Sequence, residues 1–385
     1  MTAAGNDQLS WAIIDSVAAL RGLRDELACL AEMPGAASSI VQHPDWLLFE
    51  LESRGSTTSL HLVVVRGEGG RIVGYAPLLA RQGTTRIALG ARHVPIHHGH
   101  MLRLLGSGVV AAPHERKNVE NTVAAALQRD PTVRVVQIQE TALPNDLSTA
   151  LSQGRRKFTC VRSNLLDQLN WTIQPQASLA TYLASLGSKR RNDLTRRLRN
   201  VYKKLGETAQ LRIFDTPEHI DDYCRLMNQV YARSWHAATL AIDWELPARR
   251  ALFQQLMRGR QMIGHMLMLG TRPIAYVHGY RLGGRYVLDD TGYDEDFAQL
   301  GVGSALVFQS IQDLIERHPD ELIDFGYGDN QYKRVLADRQ SPCCSLYVIR
   351  GFGPRVCFRL IAPLRGAYRC LRWMQSKSRA TASTR

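Results

Sequence analysis

Cysteine is scarce in this sequence, and its placement excludes two common frameworks. The 385 residues contain seven cysteines, an odd number, and no two of them have the Cys-x-x-Cys spacing. This pattern argues against a disulfide framework and against a zinc site. We therefore expect a protein of the reducing cytoplasm that holds no metal.

Long apolar runs are also missing. No stretch of eighteen apolar residues occurs in the chain, so a membrane span is not expected. The first residues, MTAAGNDQLSWAII, have Asp7 and no basic segment before a short apolar run, which is not the pattern of a signal peptide. The sequence therefore predicts a soluble protein.

Positive charge is abundant, but it is confined to two segments. The chain has 48 Lys and Arg against 35 Asp and Glu, which gives a formal net charge of +13. Residues 189–204 hold eight basic residues and one acid, and residues 350–385 hold nine basic residues and no acid. The rest of the chain is slightly acidic, whereas a nucleic-acid-binding protein spreads its charge along the contact surface. Two separate sites for anionic partners are therefore predicted.

The length and the order of the predicted elements indicate two domains. A chain of 385 residues is expected to form two domains of roughly 150–200 residues each. Pairs of adjacent strands followed by a strand, a turn, a helix and a strand are typical of a mixed α/β (α+β) fold. The predicted extents are residues 1–165 and 175–350, followed by a basic tail at residues 351–385.

Hydrophobic periodicity places the individual elements. In the first half it predicts helices at residues 17–30, 44–51 and 116–127 and strands at residues 59–65, 71–77, 101–105 and 134–138. In the second half it predicts helical residues at 177–205 and 304–317 and strands at residues 211–214, 262–269, 274–281, 285–290 and 322–325. A further helix is predicted from Pro217, with Thr216 as its N-cap.

Residues 289–317 carry the strongest functional pattern. A predicted strand is followed by Gly301-Val302-Gly303-Ser304 and then by a helix whose apolar residues lie on one face. Glycines before a helix leave its first backbone N–H groups uncovered, and these groups together with the helix dipole form a phosphate site. Side chains at Gly301 and Gly303 would obstruct the approach of a pyrophosphate. By itself, the pattern fits a purely structural helix start equally well.

The order of elements around this turn resembles the GNAT acyltransferase superfamily. The acyl-CoA turn of that superfamily has the form Arg/Gln-x-x-Gly-x-Gly/Ala. Gly301 and Gly303 match its two glycines, whereas Ala298 stands at the Arg/Gln position and Gln299 follows one residue late. The resemblance implies that an acyl-CoA, in the first place acetyl-CoA, binds at Gly301, Val302, Gly303 and Ser304.

A second block narrows this resemblance. Residues 323–334, IDFGYGDNQYKR, are similar to the DFGxGxxxYK block of the branch that includes CelD-like and FemAB-like acyltransferases, in which two GNAT-like halves share one chain. The basic segment at residues 188–199, HPDW at residues 43–46 and YAPL at residues 75–78 are also similar to features of this branch. The resemblance covers roughly residues 40–365 and implies two GNAT-like domains.

The first half lacks the turn that the second half has. Its residues Gly106-Ser107-Gly108 are followed by Val109-Val110-Ala111-Ala112-Pro113 rather than by a helix. We therefore predict that residues 1–165 form a degenerate GNAT-like partner that shapes the substrate site.

Acyl transfer from a thioester needs a base for the proton of the acceptor and an acid for the leaving thiolate. The resemblance implies a carboxylate or a water as the base and a tyrosine as the acid. Asp289 and Asp290 end a predicted strand, so that strand alternation turns one of them into the cleft as the first candidate base. His278 is a further candidate base, and Tyr332 is the candidate acid. Solvated carboxylates and a packed histidine are the structural alternatives.

The basic segment at residues 189–204 is the first candidate anion site. Its cations have one internal acid, Asp193, and like charges three or four residues apart repel each other. A bound anion would relieve this repulsion, while the alternative is an ordinary solvated helix face. We predict Arg190, Arg191 and Lys333 as substrate- or anion-binding residues. The coenzyme's 3′-phosphate, an acidic sugar, a lipid headgroup and tRNA stay open as ligands.

A histidine cluster and the C-terminal tail are two further segments that could bind a ligand or a partner. Residues 97–100 read His-His-Gly-His, but adjacent histidines point to opposite sides of a strand and no Cys, Asp or Glu is close, so no metal is predicted there. The C-terminal tail places aromatic and aliphatic residues among arginines, as in helices that lie on anionic membranes. Packing against a domain is the alternative, and Pro363 interrupts one continuous helix. Peripheral contact with the inner face of the membrane therefore stays open.

Together these features predict an acyl-CoA-dependent N- or O-acyltransferase that acts on a polar acceptor. The resemblance points to a sugar or an amine in cell-envelope or polysaccharide biosynthesis. One alternative is FemAB-like transfer from aminoacyl-tRNA, but the short step from residue 205 to the strand at 211 leaves no room for the two-helix arm typical of those proteins. A nucleic-acid-binding protein ranks last, because Tyr202 alone interleaves the arginines of the basic segment.

Overall fold

The structure, a computed structural model, has a mixed α/β fold, which confirms the predicted fold class. It describes residues 9–89, 92–153, 158–164, 168–238 and 242–351, and in the C-terminal segment residues 356, 360–364 and 366–368. The chain divides into two units, one made of residues 1–168 with 342–385 and one made of residues 169–341. Residues 342–350, which the sequence analysis assigned to the second domain, thus belong to the first unit.

The elements follow one another along the chain as two sets. The helices are α1 (Val17–Glu32), α2 (Pro44–Arg54), α3 (Arg116–Arg129), α4 (Asp146–Gln153), α5 (Leu179–Ser185), α6 (Ser188–Leu205), α7 (Ile220–Tyr231), α8 (Pro247–Arg258), α9 (Val302–Arg317) and α10 (Gln331–Leu336). The strands are β1 (Ser10–Ile14), β2 (Thr58–Leu60), β3 (Leu62–Arg66), β4 (Ile72–Ala76), β5 (Leu78–Leu89), β6 (Arg92–Leu104), β7 (Val110–Ala111), β8 (Val135–Ala142), β9 (Phe158–Arg162), β10 (Gln168–Ile173), β11 (Ala209–Phe214), β12 (Met262–Leu269), β13 (Arg272–Leu282), β14 (Arg285–Tyr293), β15 (Leu322–Tyr327) and β16 (Arg339–Arg350).

The first unit contains two sheets. Strands β1, β3, β4 and β7 form an antiparallel sheet. The other sheet has the order β16-β8-β6-β5-β2, with β9 also paired to β16. Strands β5 and β6 are a long antiparallel hairpin, whereas β6 and β8 run parallel because α3 crosses between them. Apolar side chains of both sheets and of α3 and α4 form one core.

The second unit is built on strands in the order β11-β12-β13-β14-β15-β10. Neighbouring strands are antiparallel except β14 and β15, which run parallel and are joined by α9. Helix α9 is buried on most of its circumference, because ten of the fourteen residues between Val302 and Ile315 are buried. Helices α5, α6 and α9 share a core with these strands.

The differences from the predicted elements have local causes. The helix predicted from Pro217 opens as a 3₁₀ turn and becomes α7 at Ile220, and Thr216 makes no side-chain cap to it. Strand β14 continues to Tyr293, beyond its predicted end at Asp290. The helical stretch at residues 177–205 is divided into α5 and α6. Elements such as β1, β5, β16, α8 and α10 were not predicted; in β5 and α8, polar residues interrupt the apolar periodicity.

The C-terminal tail is described only in part. Of its apolar residues, Leu360 and Leu364 are exposed, at 70% and 59%, while Ile361 packs against a small apolar cluster of the first unit. The exposed Leu360 and Leu364 agree with a membrane contact, whereas Ile361 agrees with packing against the domain. The membrane contact of the tail therefore stays a prediction. Throughout the described ranges, no helix has the length and apolar character that crossing a membrane requires.

Candidate active site

Helix α9 begins with its backbone N–H groups uncovered. Its N-cap is Gly301, which has a left-handed conformation with φ 72° and ψ 30°, and no side chain caps this end in the described part of the chain. The first intrahelical hydrogen bond is donated by Ala305 N–H to Gly301 O over 3.1 Å. The N–H groups of Val302, Gly303 and Ser304 come before it, where a helix offers no acceptor of its own. This end of α9 can therefore receive an anion.

The two glycines of the turn have different roles. Gly301 needs its positive φ, which glycine adopts without strain, and a Cβ there would meet open space. Gly303 instead packs against β14, because a Cβ on it would lie 2.6 Å from Cδ1 of Tyr293. The predicted obstruction of a ligand by side chains thus concerns Gly301, whereas Gly303 is required by the contact between helix and strand.

A cavity of about 760 Å³ opens at this end of α9. Helix α6 forms one wall, and the turn before α9, the end of β14 and helix α10 form the others. Both Ala298 and Gln299 line it, so the position that lacks the arginine or glutamine of the GNAT turn faces the cavity. A volume of roughly 300–1,000 Å³ is typical of sites for small molecules and cofactors.

The parallel strands β14 and β15 separate next to this cavity. Their register in the described chain covers three residue pairs, from Arg285 with Leu322 to Val287 with Asp324. Strand β14 then continues along β13 as far as Tyr293. Thr291 in this continuation lines the cavity. The cavity is therefore bordered by the part of β14 that lies beyond its pairing with β15.

A β-bulge distinguishes the two predicted base candidates. His278 pairs with Asp290 and Gly279 pairs with Leu288, so Asp289 is the extra residue of β14. Asp289 is exposed, while Asp290 is half-buried. A bulge redirects side chains, and simple strand alternation does not predict its result. The two carboxylates also do not end the strand, contrary to the prediction.

Asp290 is held by three neighbours. Its carboxylate accepts hydrogen bonds from Tyr276 Oη at 2.9 Å and from Thr291 N–H at 2.8 Å. His236 Nε2 lies 3.6 Å from Asp290 Oδ1, and the Asp290 side chain remains 20% exposed. A carboxylate that is oriented by fixed donors and still reached by solvent can accept a proton from a substrate. Asp290 is thus the better placed of the two candidates.

Tyr332 lies on α10 and lines the cavity, as the prediction of a catalytic acid requires. Burial, followed by the negative charge of Asp290, raises the pKa of Tyr332 to about 12. The phenol therefore stays protonated at neutral pH and is able to donate its proton. Its ring is also fixed by an edge contact with Phe325, with 6.1 Å between the ring centres.

His278 lies in the core rather than in the cavity wall. It is fully buried, with its Nδ1 2.6 Å from Tyr223 Oη and its Nε2 2.7 Å from Tyr280 Oη. Burial lowers the pKa of His278 to about 3. Phe253 and Trp244 pack around its ring. These contacts do not support the predicted role of His278 as a base and indicate a structural one.

Lys333 is also turned inward. It is 5% exposed, and its Nζ donates to the backbone oxygen of Tyr327 over 2.8 Å and to that of Gly326 over 3.4 Å. The ammonium therefore stabilises the glycine-containing connection between β15 and α10. The predicted binding of a substrate anion by Lys333 is not supported by this placement.

The basic helix α6 lies beside the cavity, but with different residues from those predicted. Arg190 is exposed and donates to Val335 O over 3.4 Å, and neither it nor Arg191 lines the cavity at α9. Arg190 borders a second, more open hollow of about 870 Å³ at the start of α6. The cations that line the cavity are Arg197 and Lys204. The sequence contained an indication of this pair, because Arg197 and Lys204 are seven residues apart and therefore lie on one face of the helix.

Two aromatic residues of the site were missed by the sequence analysis. Trp235 and His236 lie in a 3₁₀ turn after α7. Trp235 lines the cavity and is 51% exposed, and the His236 ring stacks on Tyr231, with parallel planes and 5.5 Å between the centres. No local pattern identifies these residues, because their position depends on how α7 packs on the sheet.

The described part of the chain contains no group of three His, Cys, Asp or Glu side chains that is arranged to hold a metal ion. Around the cavity stand the uncovered N–H groups of α9 and the Tyr332 phenol, while the Asp290 carboxylate and the His236 imidazole lie outside its lining.

Comparison with known proteins gives one family match, which lies within the second unit. Residues 188–334 match the family described as acetyltransferase (GNAT) domain. The fold is similar to that of FemX, at a TM-score of 0.58 and 11% identity, covering 88% of this chain and 98% of FemX. No curated protein matches the chain.

Two further solved structures have a similar fold. A conserved protein of unknown function from Bacteroides thetaiotaomicron gives a TM-score of 0.53 at 11% identity, covering 88% of this chain and all of its own. The C-terminal domain of a protein described as a lysylphosphatidylglycerol synthetase from Agrobacterium fabrum gives 0.52 at 13% identity, covering 86% of this chain and 92% of its own. At these identities the likeness concerns the fold.

Proposed function

We propose that this chain, whose residues 188–334 match the acetyltransferase (GNAT) domain family, is an acyltransferase of the FemAB-like branch that its sequence resembles, and that it transfers an acyl group from acyl-CoA to a polar acceptor. Acetyl-CoA is the donor we expect first. The observation that carries the proposal is the cavity at the uncovered N-terminus of α9. A diphosphate needs several convergent donors, and the start of α9 offers three backbone N–H groups with the helix dipole behind them.

The residues present fit a phosphate-containing donor. Gly301 leaves open space where another residue would carry a Cβ, and no acidic side chain occupies the first turn of α9. The diphosphate would be held by the N–H groups of Val302, Gly303 and Ser304. The cavity extends from there to Thr291 and Tyr332, where the thioester would meet the acceptor.

Asp290 and Tyr332 are the acid–base pair of the proposed reaction. Asp290 accepts a proton from the attacking amine or hydroxyl, while Tyr276 and Thr291 fix its orientation. Tyr332, kept protonated by a pKa of about 12, gives its proton to the departing thiolate. Each positioned acid or base contributes on the order of 10²–10⁴ to the rate.

The acceptor is proposed from the resemblance and from the character of the cavity. Trp235 lines the cavity and is 51% exposed, and the neutral polar residues Asn330 and Gln331 also line it. A polar, uncharged or amine-bearing molecule such as an amino sugar fits this surface. The similar fold of a protein named for lysylphosphatidylglycerol synthesis is in keeping with a cell-envelope acceptor.

Transfer from aminoacyl-tRNA is the second candidate function. The positive face of α6 favours it, because an RNA backbone binds to such surfaces. The connection from α6 to β11 covers residues 206–208, so the described chain has no two-helix arm at this place. The acyl-CoA proposal accounts for the cavity at α9 as well, and we therefore prefer it.

Titration calorimetry separates the two. Acetyl-CoA is expected to bind to the whole chain with a one-to-one stoichiometry, and deacylated tRNA is expected not to compete with it. If acetyl-CoA gives no heat while tRNA binds in a salt-sensitive manner, the acyl-CoA proposal is rejected and the tRNA-dependent function takes its place.

A further inference from the structure

We propose that α6 binds the phosphates of the acyl donor through Arg197 and Lys204, and so supplies the positive charge that the turn before α9 lacks. The inference rests on the proposed function, since it assigns a binding role to further residues of the same cavity. It also replaces the anion-binding role predicted for Arg190 and Arg191 with one for two other cations of the same helix.

The turn before α9 contributes no positive charge to the cavity. Its lining residues Ala298, Gln299 and Leu300 are uncharged. Among the lining residues that the structure describes, the charged ones are Asp193, Arg197 and Lys204, and all three lie on α6. Backbone N–H groups carry partial charges only, so a ligand with several phosphate charges gains further from full cations nearby.

The position of these cations follows from the helical repeat of α6. The lining residues Asp193, Arg197, Asn200 and Lys204 are spaced by four, three and four residues, which places them in one row along the helix. Other cations of α6, such as Lys203, lie off this row. The row therefore selects two of the eight basic residues of the segment for the cavity.

Helix α6 is held firmly against α9. Tyr202 Oη donates to Gln309 Oε1 of α9 over 2.7 Å. Leu198, Val201 and Leu205 belong to or pack against the same apolar core as α9. The distance from the basic row to the N-terminus of α9 is thus set by packing, and a preorganised site of this kind binds its ligand without ordering long segments.

The two cations differ in their partners. Arg197 Nε lies 2.8 Å from Asp193 Oδ2, so its guanidinium is positioned and partly neutralised. Lys204 is exposed and forms no ion pair with the described part of the chain, which leaves its charge uncompensated beside the cavity. An arginine offers a planar fork to a phosphate and a lysine a point charge, and both are common phosphate ligands.

The same helix provides matched controls. Arg199 and Lys203 are exposed, carry the same charges on the same helix and do not line the cavity. Replacing them with glutamine removes the same amount of long-range electrostatic attraction as the equivalent changes at Arg197 and Lys204. Any difference between the pairs therefore reports direct contact and not net charge.

The test is titration calorimetry of the whole chain with acetyl-CoA and with S-acetylpantetheine, which has the same thioester arm and no phosphate. We expect Arg197→Gln and Lys204→Gln each to weaken acetyl-CoA binding about tenfold, the size of one charge-assisted hydrogen bond. Arg199→Gln and Lys203→Gln are expected to stay within about twofold of the unmodified chain, as screened surface charges do. None of the four changes is expected to alter S-acetylpantetheine binding.

Equal effects in the two pairs, or no effect in either, would overturn the inference. A loss that persists with the phosphate-free ligand would also overturn it, because the cations would then act on another part of the donor. If the unmodified chain does not bind acetyl-CoA at all, the proposed function fails, and this outcome is distinct from a failure of the α6 assignment.

Discussion

The two units contain the same local arrangement of strand, glycine-containing connection, helix and parallel return strand. In the first unit these are β6, α3 and β8, with the short strand β7 inside the connection, and in the second they are β14, α9 and β15. The connections differ in what surrounds their polar backbone. One is filled by side chains of its own unit, and the other opens onto a cavity.

The connection of the first unit is filled around Gly106. A Cβ there would lie 2.5 Å from Cδ of Gln42. Gln42 Nε2 donates to Gly108 O over 2.7 Å, and Ser107 N–H donates to Ser38 Oγ over 3.1 Å. Asn145 Nδ2 donates to Ser107 O over 3.2 Å. One backbone N–H group and two backbone carbonyl groups of this connection are thus satisfied internally.

The comparison indicates that a glycine-containing connection between a strand and a helix does not define a ligand site by itself. What decides is whether nearby side chains satisfy the backbone groups of the turn. In the second unit the N-terminus of α9 has no side-chain cap in the described chain, and a cavity of about 760 Å³ lies beside it. The predicted substrate-shaping role of the first unit stays a prediction.

The largest expected effect concerns β14, the strand that precedes the turn at Gly301. Asp290→Asn is expected to lower kcat by about 10²–10⁴-fold, because it removes a base held by Tyr276 and Thr291. Thiol release from acetyl-CoA with the best acceptor found for the unmodified chain measures it. Asp289→Asn, one residue away on the bulge, serves as the comparison. A larger loss at Asp289 would show that the bulge presents the other carboxylate to the substrate.

In the second unit, one substitution can place a charged side chain at the uncovered N-terminus of α9. Ser304→Asp places a carboxylate in the first turn of α9. There it can accept hydrogen bonds from backbone N–H groups, as side chains of the first unit satisfy the backbone groups near Gly106. We expect about a 100-fold loss of acetyl-CoA affinity, together with stabilisation by about 0.5–1 kcal/mol from the helix dipole. Calorimetry and thermal unfolding measure the two effects. Ser304→Asn is the uncharged control, and an unchanged affinity in Ser304→Asp would place the donor elsewhere.

In the first unit, the side chain that occupies the connection at Gly106 can be removed by one substitution. Gln42→Ala removes buried hydrogen bonds to Gly108 and Ser38 and is expected to lower the free energy of unfolding by about 3 kcal/mol. Acetyl-CoA affinity at a temperature where the variant is folded is expected to stay within about twofold. Denaturant unfolding and calorimetry test this, with exposed Gln153→Ala as the control. A loss of affinity equal to that of Ser304→Asp would break the contrast between the two units.

The smallest expected effect distinguishes the core of the second unit from its cavity. The folded-state pKa of His278 is about 3, whereas an unfolded histidine titrates near 6.5. Below pH 6.5 the unfolded chain therefore binds a proton that the folded chain does not, and stability falls as the pH is lowered towards 3. Between pH 6.5 and 5 this amounts to about 2 kcal/mol.

Denaturant unfolding at pH 7 and pH 5 measures this effect. His278→Gln is expected to be less stable at pH 7 and to lose about 2 kcal/mol less than the unmodified chain on acidification. If the variant shows the same dependence on pH, His278 is not the buried neutral group that its contacts indicate.

Local patterns predicted much of the second unit. The GNAT turn, helix α9 and the block that carries Tyr332 were found because each depends on residues close in sequence. The bulge that separates Asp289 from Asp290 was not predictable, because it depends on how β14 pairs with β13. Burial likewise decides the roles of His278 and Lys333, and the sequence contains no direct sign of it.

Residues brought together by packing were also missed. Arg197 and Lys204 were part of the recognised basic segment, but the face that meets the cavity is set by the contact between α6 and α9. His236 approaches Asp290 from a turn more than fifty residues earlier in the chain. The fold class was therefore easier to predict than the set of side chains that packing brings together around the cavity.

The most direct test of the account is a crystal structure of the chain with coenzyme A. We predict its diphosphate within hydrogen-bond distance, about 2.7–3.2 Å, of the N–H groups of Val302, Gly303 and Ser304. Coenzyme A bound away from the N-terminus of α9, for instance at residues 105–109 of the first unit, would contradict the account.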